Sequence, residues 1–272
     1  MQPYFIFGTG VIKMSKEVTV VCCYNDSGQY ETLCASLKQQ DIEYELIGID
    51  NRGQKFSSCS SALNSVADQI KTEYVIYSHQ DIELPEADML ARFVEYLRGL
   101  SAGDILGVAG AVENPDKHAK NMEYVLSNIR HGSELRVAGE EDFTGVRKCD
   151  TVDECFFGGR TETFVRAPFD ERLCDNWHLC AVERCLFARM TGHQAYVCDL
   201  SLIHRSGGTI NHAYNEGFRR LARYYHTADK RCPQAVEKIT CIRTVCGSSR
   251  TDWLHRTAFY LKRELLIRMH RY

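Results

Sequence analysis

With 272 residues, 44% of them hydrophobic and 25% charged, the chain has the composition of one large folded α/β domain or one domain with an appendage, and it excludes extensive disorder. Its formal net charge of -3 gives no global attraction for nucleic acid, and no apolar run reaches the length of a transmembrane helix. The 13 cysteines include no C-x-x-C pair and sit mostly inside apolar patterns, as buried free thiols in a reducing cytoplasm would.

The first fourteen residues lack a basic segment and a cleavage signature, so they are read as a tail and not as a signal peptide. Gly8-Thr9-Gly10 precedes the first strand and Lys13 takes the third glycine position, which excludes a dinucleotide loop. Val18 to Tyr24 is a strand buried on both faces. A turn at Asn25-Asp26-Ser27-Gly28 leads to a helix over Tyr30 to Gln40 and a second strand over Glu45 to Ile49. Cys59, Ala62, Leu63, Val66, Ala67 and Ile70 recur at helical spacing. Tyr74 to Tyr77 is a third strand. Pro85 opens a helix with the face Leu90, Phe93, Val94 and Leu97, and Ile105 to Ala109 is a fourth strand.

Between Glu113 and Asp150 periodicity fades and charge rises, which predicts a long loop. Thr151 to Phe157 reads as a strand ending at Gly158-Gly159, with Phe164-Val165 beginning a return strand. A helix around Val182 to Arg189 stops at Gly192. A strand over Tyr196 to Cys198, the segment Leu202-Ile203-His204 and a helix from Tyr214 to Tyr225 follow.

Strands alternating with helices predict a parallel sheet, whose ligands lie at the strands' carboxyl ends. Asn25-Asp26, Asp50-Asn51 and His79-Gln80-Asp81 all stand at such ends. Asp81 can hold Mg2+ or Mn2+, or cap a turn. His204, ahead of Arg205-Ser206-Gly207-Gly208, can be a second ligand or a loop histidine. Asp50 and Asn51 can bond a base or ribose, or form an Asx turn. Asp175, His178 and Glu183 are the candidates for a general base. Cys174, Asp175, His178 and Cys180 match no usual zinc spacing.

The order of these pieces resembles the family-2 glycosyltransferases of the GT-A fold, in particular a bacterial subgroup with a His-Gln-Asp metal motif. The matching segments are Val20 to Asn25, Ile49-Asp50-Asn51, Ala62-Leu63-Asn64, Tyr77 to Ile82, Val152 to Phe157, Trp177 to Glu183 and Ile203 to Gly208. The resemblance covers about residues 17 to 210. It implies an α/β GT-A domain with a mixed, mainly parallel sheet flanked by helices. It also implies transfer with inversion from a nucleotide-diphosphate sugar to a saccharide, supported by Mn2+ or Mg2+.

By the same resemblance Tyr24, Asn25 and Asp50 line the nucleotide pocket, together with Asn51, His79 and Gln80. Asn64 lies near the ribose or diphosphate. Asp81 and His204 bind the metal, and Asp153 and Phe156 border the donor sugar and acceptor. Two departures stand out. Cys180 and Ala181 occupy the places of the family's Glu-Asp pair, so the base falls to Asp175, His178 or Glu183. Glu154 replaces a glycine that commonly follows the position of Asp153.

The expected organisation is a GT-A domain over 15-228 and a helical extension over 229-272. Arg250 to Tyr272 carries six basic residues against two acidic, with Trp253, Leu254, Leu261, Leu265 and Met269 as an apolar stripe. Such a tail suits a peripheral helix on the inner face of the membrane, near a lipid-linked acceptor in surface polysaccharide synthesis, or packing on the domain or in a homodimer. Two rival functions are a catalytically degenerate nucleotide-sugar or saccharide-binding module, which the missing Glu-Asp pair keeps open, and a sugar nucleotidyltransferase. The latter would carry a glycine-rich basic loop where Cys23-Tyr24-Asn25-Asp26 stands.

Overall fold

The apolar run Val18–Tyr24 forms β1, whose residues Val18 to Cys22 are fully buried. The computed structural model describes residues 16–116, 123–206, 211–231, 261–262 and 264–269. After β1 come α1 (Ser27–Leu37), β2 (Tyr44–Asp50), α2 (Cys59–Asn64), β3 (Tyr74–Ser78), β4 (Ile82–Glu83) and α3 (Met89–Arg98). The middle of the chain holds β5 (Ile105–Gly107), β6 (Ala109–Glu113), β7 (Glu123–Ser127), β8 (Arg130–His131), β9 (Arg136–Val137), β10 (Val146–Cys149) and β11 (Thr151–Val152). Then follow β12 (Phe156–Arg160), α4 (Thr161–Arg166), α5 (Cys180–Met190), β13 (Ala195–Cys198), β14 (Ile203–His204) and α6 (His212–Arg231).

Seven strands form the main sheet in the order β10-β13-β5-β12-β3-β1-β2. β1, β2, β3, β5 and β13 run parallel, with β12 antiparallel between β3 and β5 and β10 antiparallel at the edge. Alternation along β1 sends Val18, Val20 and Cys22 to one face, where α1 and α3 supply Leu33, Leu37, Phe93 and Leu97. Val21 faces the other side, packed with Leu63 of α2, Leu186 of α5 and Leu221 of α6. The mainly parallel α/β sheet expected from the sequence is the one observed.

Several local expectations are overturned. The first helix starts at Ser27, because the Asp26 side chain accepts from the Gln29 amide and caps it. The helical pattern from Cys59 to Ile70 breaks after Asn64. The Ser65 hydroxyl donates to the Ala62 carbonyl at 2.7 Å, and a 3-10 turn at Ala67–Gln69 follows. The third helix begins at Met89, beyond Pro85. Phe164 and Val165 lie in α4, where the Phe164 ring packs 5.0 Å from that of Tyr77.

Gly158 and Gly159 do not end a strand but lie inside β12. A Cβ on Gly158 would stand 2.2 Å from the Val75 carbonyl oxygen, so β12 and β3 meet there through bare backbone. The stretch read as a loop contains β7 to β10. These ladders are two to five residues long and expose charged side chains, which erases a periodic signal. The strand expected over Ile105 to Ala109 divides at Val108, and β6 leaves to pair with β7 and β11.

Near the C-terminus, residues 261–262 and 264–268 are helical. Glu264 is buried and accepts from Asn215 and His212 of α6, while Leu261, Leu265 and Met269 are exposed. Trp253 and Leu254 of the proposed stripe lie outside the described residues.

Candidate active site

Two very short strands build the centre of the site. β4 follows Asp81 directly and pairs antiparallel with β14, placing His204 opposite Ile82. This register brings His204 Nε2 to 3.5 Å from Asp81 Oδ1. The Arg205 amide donates to the Asp81 carbonyl at 3.0 Å and the Ser206 amide to Oδ2 at 3.1 Å. His79 joins from the end of β3, its backbone amide donating to the Cys155 carbonyl at 2.8 Å. One ligand atom from each of His79, Asp81 and His204 lies within 4.8 Å of the others, a spacing a single cation can bridge.

The electrostatics suit a cation. Burial works to raise the Asp81 carboxyl, but the hydrogen bonds from His204 and Ser206 outweigh it and hold it well below the usual carboxylate range. His204 is raised: burial opposes its charge, and the bond and charge of Asp81 prevail. His79 is lowered, chiefly by burial, so its imidazole is neutral and has a lone pair to offer. Sequence reading assigned His79 to the nucleotide; in the structure it stands with Asp81 and His204 in a group that could hold a metal ion.

The residues that sequence reading assigned to a nucleotide are tied to one another. Gln80 Oε1 accepts from the amides of Asn25 and Asp26 at 2.9 Å each, and Gln80 Nε2 donates to Asn25 Oδ1 at 2.8 Å. This clamps the ends of β1 and β3. Tyr24 stacks on Tyr30, ring centroids 4.0 Å apart, and the Arg52 guanidinium lies 5.9 Å from the Tyr24 centroid. Asp50 is exposed and pairs with Arg52, whose hydrogen bonds lower its carboxyl to about 2. Asn51 and Asn64 spend their amides on loops: Asn51 exchanges bonds with the Phe56 backbone and Asn64 with that of Phe169. Phe156 is fully buried with its ring edge-on to Phe93, behind the sheet.

A cavity of about 320 Å3 opens beside His204. His204, Ser206 and Asp153 form its polar end, the β6 residues Ala109 and Ala111 part of its floor, and Tyr214 and Phe218 of α6 an aromatic wall. The three sequence-derived base candidates do not line it. Asp175 holds Arg220 in a two-pronged ion pair. Glu183 is buried, accepts from the Tyr225 hydroxyl at 2.6 Å and meets Arg184. His178 packs edge-on against Tyr214 at 5.5 Å and is lowered, mainly by burial. Sequence reading did not single out the aromatic wall, whose residues carry an ordinary helical pattern. Nor did it foresee that Glu154 accepts from the Leu179 amide at 2.8 Å, where Leu179 takes a left-handed φ of 71° at the start of α5.

This sheet, with a carboxylate-imidazole cluster and a cavity at its strand ends, defines a GT-A fold. The chain belongs to the Glycosyltransferase like family, whose model matches residues 19–232. Over 212 residues it is 28% identical to the "ATP synthase subunits region ORF 6" protein of Fuscovulum blasticum, covering 75% of this chain and 79% of that protein. The solved structure of S. aureus TarS 1-349 aligns with a TM-score of 0.55 at 13% identity, over 91% of this chain and 80% of that one. The mannosyltransferase PcManGT from Pyrobaculum calidifontis, in complex with GDP-Man and Mn2+, aligns with a TM-score of 0.52 at 14% identity, over 93% and 74% of the two chains. The expected fold and family are thus borne out.

Proposed function

We propose that the protein is an inverting, metal-dependent glycosyltransferase that moves a hexosyl or deoxyhexosyl group from a nucleotide-diphosphate donor to a saccharide acceptor. The observation that carries this reading is the meeting of His79, Asp81 and His204, the last of which also lines a sugar-sized cavity. A bound divalent cation would offset the charge on the departing diphosphate. Two imidazoles beside one carboxylate suit Mn2+ better than the harder Mg2+. Tyr24, stacked on Tyr30 at the end of β1, offers a flat face for the base, and the polar residues 25, 50 and 80 surround that end of the sheet. Structural neighbours solved with UDP-GlcNAc, or with GDP-Man and Mn2+, support a nucleotide-sugar donor.

Within the base trio Asp175, His178 and Glu183, the first is held by Arg220 and the last by Tyr225 and Arg184. His178 packs edge-on against Tyr214 and, like the other two, does not line the cavity. The GT-A domain over 15-228 would carry all of these groups. The extension over 229-272, basic toward its end, would rest on the inner membrane face close to a lipid-linked saccharide, in surface polysaccharide synthesis. Ala181 at the family's carboxylate position favours one rival, a binding module without turnover.

The deciding experiment is a thermal-shift panel of UDP-, GDP- and dTDP-sugars with and without Mn2+, followed by assay of released nucleoside diphosphate. Donor binding that needs Mn2+, with turnover, supports the proposal. Binding without turnover would favour the module, and no nucleotide-sugar binding would remove both.

A further inference from the structure

Deepening the glycosyl-transfer reading, on which it rests, we propose that Asp153 is the catalytic base of this chain, the group that accepts the proton of the attacking hydroxyl. Among the described residues lining the cavity beside the metal cluster, Asp153 is the one that brings a carboxylate. It shares the cavity's polar end with His204 and Ser206. A base must stand within hydrogen-bond reach of the reacting hydroxyl, and that hydroxyl must approach the sugar held beside the diphosphate.

The seat of Asp153 is rigid. It follows β11 directly, its amide donates to the Ala109 carbonyl at 2.9 Å, and one carboxylate oxygen accepts from the Cys155 amide at 2.9 Å. The side chain is nevertheless exposed to solvent on the cavity side. Its neighbour Glu154 points another way, to the Leu179 amide. Burial, and then the charge of Asp153, push Glu154 up to about 8. Near neutral pH Glu154 therefore keeps its proton.

The other proton acceptors are less well placed. Asp175 and Glu183 are engaged by Arg220 and by Tyr225, and His178 packs against Tyr214 and does not line the cavity. His131, on β8 beside His204, also lines the cavity but belongs to the wall next to the metal ligand. Ala181, where the family resemblance expects a carboxylate, is fully buried and has no acid to offer. In the transfer step the acceptor O–H proton passes to an Asp153 oxygen and the freed oxygen bonds to the anomeric carbon. The bond from that carbon to the phosphate oxygen breaks, and its electron pair leaves with the nucleoside diphosphate.

The test compares wild type with D153N, D153E and H178Q on nucleotide sugars and Mn2+, with water or a p-nitrophenyl glycoside as acceptor. Thermal shift reads donor binding, and released nucleoside diphosphate reads turnover. D153N should bind donor within a few-fold of wild type, keep KM nearly unchanged and lose about 10² to 10⁴ in kcat. D153E should recover part of that loss, and H178Q should stay within about ten-fold of wild type. A D153N variant that keeps kcat, or whose loss lies in KM alone, overturns the assignment while leaving glycosyl transfer intact. A wild-type protein that neither binds donor with Mn2+ nor turns it over overturns the reading and the base together.

Discussion

His204 Nε2 lies 3.5 Å from Asp81 Oδ1 because the two-residue strands that flank them pair in one register. Arg205 reinforces that register through Glu83, at 2.6 Å, on the neighbouring position of the ladder. A slip by one residue would turn the imidazole to the opposite face. The meeting of Asp81 and His204 is therefore a product of sheet pairing.

Mn2+ should stabilise the folded protein through these residues. Binding at a hundred times the dissociation constant contributes about 2.7 kcal/mol, several degrees in melting temperature. In D81N and H204A that rise should vanish, and in H79A it should need about ten- to a hundred-fold more Mn2+. A full Mn2+ shift in D81N would place the cation elsewhere.

How much of this was legible in the sequence depended on the length of the signal. β1 and α3 announced themselves because a seven-residue run with Thr19 as its one polar member, or a face of Leu90, Phe93, Val94 and Leu97, leaves one reading. Asp81 and His204 were legible as strand-end polar groups, but no spacing in the chain could join them; the β4–β14 ladder does, and two-residue strands carry no periodicity. Phe164 was misread because packing on Tyr77 and Phe169 overrides its preference for a strand. The bonds of Asn51 to Phe56 and of Asn64 to Phe169 were not legible, since a sequence does not show which backbone groups will claim a side chain.

Gly158 should tolerate no side chain. The Val75 carbonyl lies 2.2 Å from the position of a Cβ, and it belongs to strand backbone that cannot swing away. Gly158→Ala should destabilise by about 3 kcal/mol, read as a lower urea midpoint at unchanged slope. A variant as stable as wild type would mean that β12 and β3 are further apart than described.

Tyr225→Phe tests whether Glu183 is structural. The phenol donates to Glu183 at 2.6 Å where α6 packs on α5, both groups being buried. Removing the hydroxyl leaves a buried acceptor short of a partner and should cost about 1 to 3 kcal/mol in chemical denaturation. Turnover per folded molecule should hold. A large fall in kcat at normal stability would instead return Glu183 to the catalytic candidates.

The exposed Leu261, Leu265 and Met269 should meet lipid. Glu264 fixes the other side of this helix to His212 and Asn215, so the apolar residues face outward, in a stretch whose sequence is basic. Deleting 250–272 should weaken sedimentation with vesicles containing anionic lipid, and replacing the three apolar residues with serine should do the same. Equal sedimentation of all three proteins would remove the membrane contact, and a change of oligomeric state would assign the face to a second copy.

Glu154 gives a pH signature of its own. Folding raises its carboxyl from an ordinary 4.5 to about 8, chiefly by burial and then by the charge of Asp153. Below pH 4.5 both folded and unfolded chains hold the proton, and the contribution to stability is whole. As the pH climbs toward 8 the unfolded chain releases that proton while the folded one keeps it, so stability falls. Glutamine stays neutral throughout and can still accept from the Leu179 amide. Glu154→Gln should thus match wild type near pH 4.5 and melt a few degrees higher near pH 8, with EDTA present to remove bound metal. Parallel melting curves for the two proteins across this range would show that the carboxylate is not held neutral in the folded state.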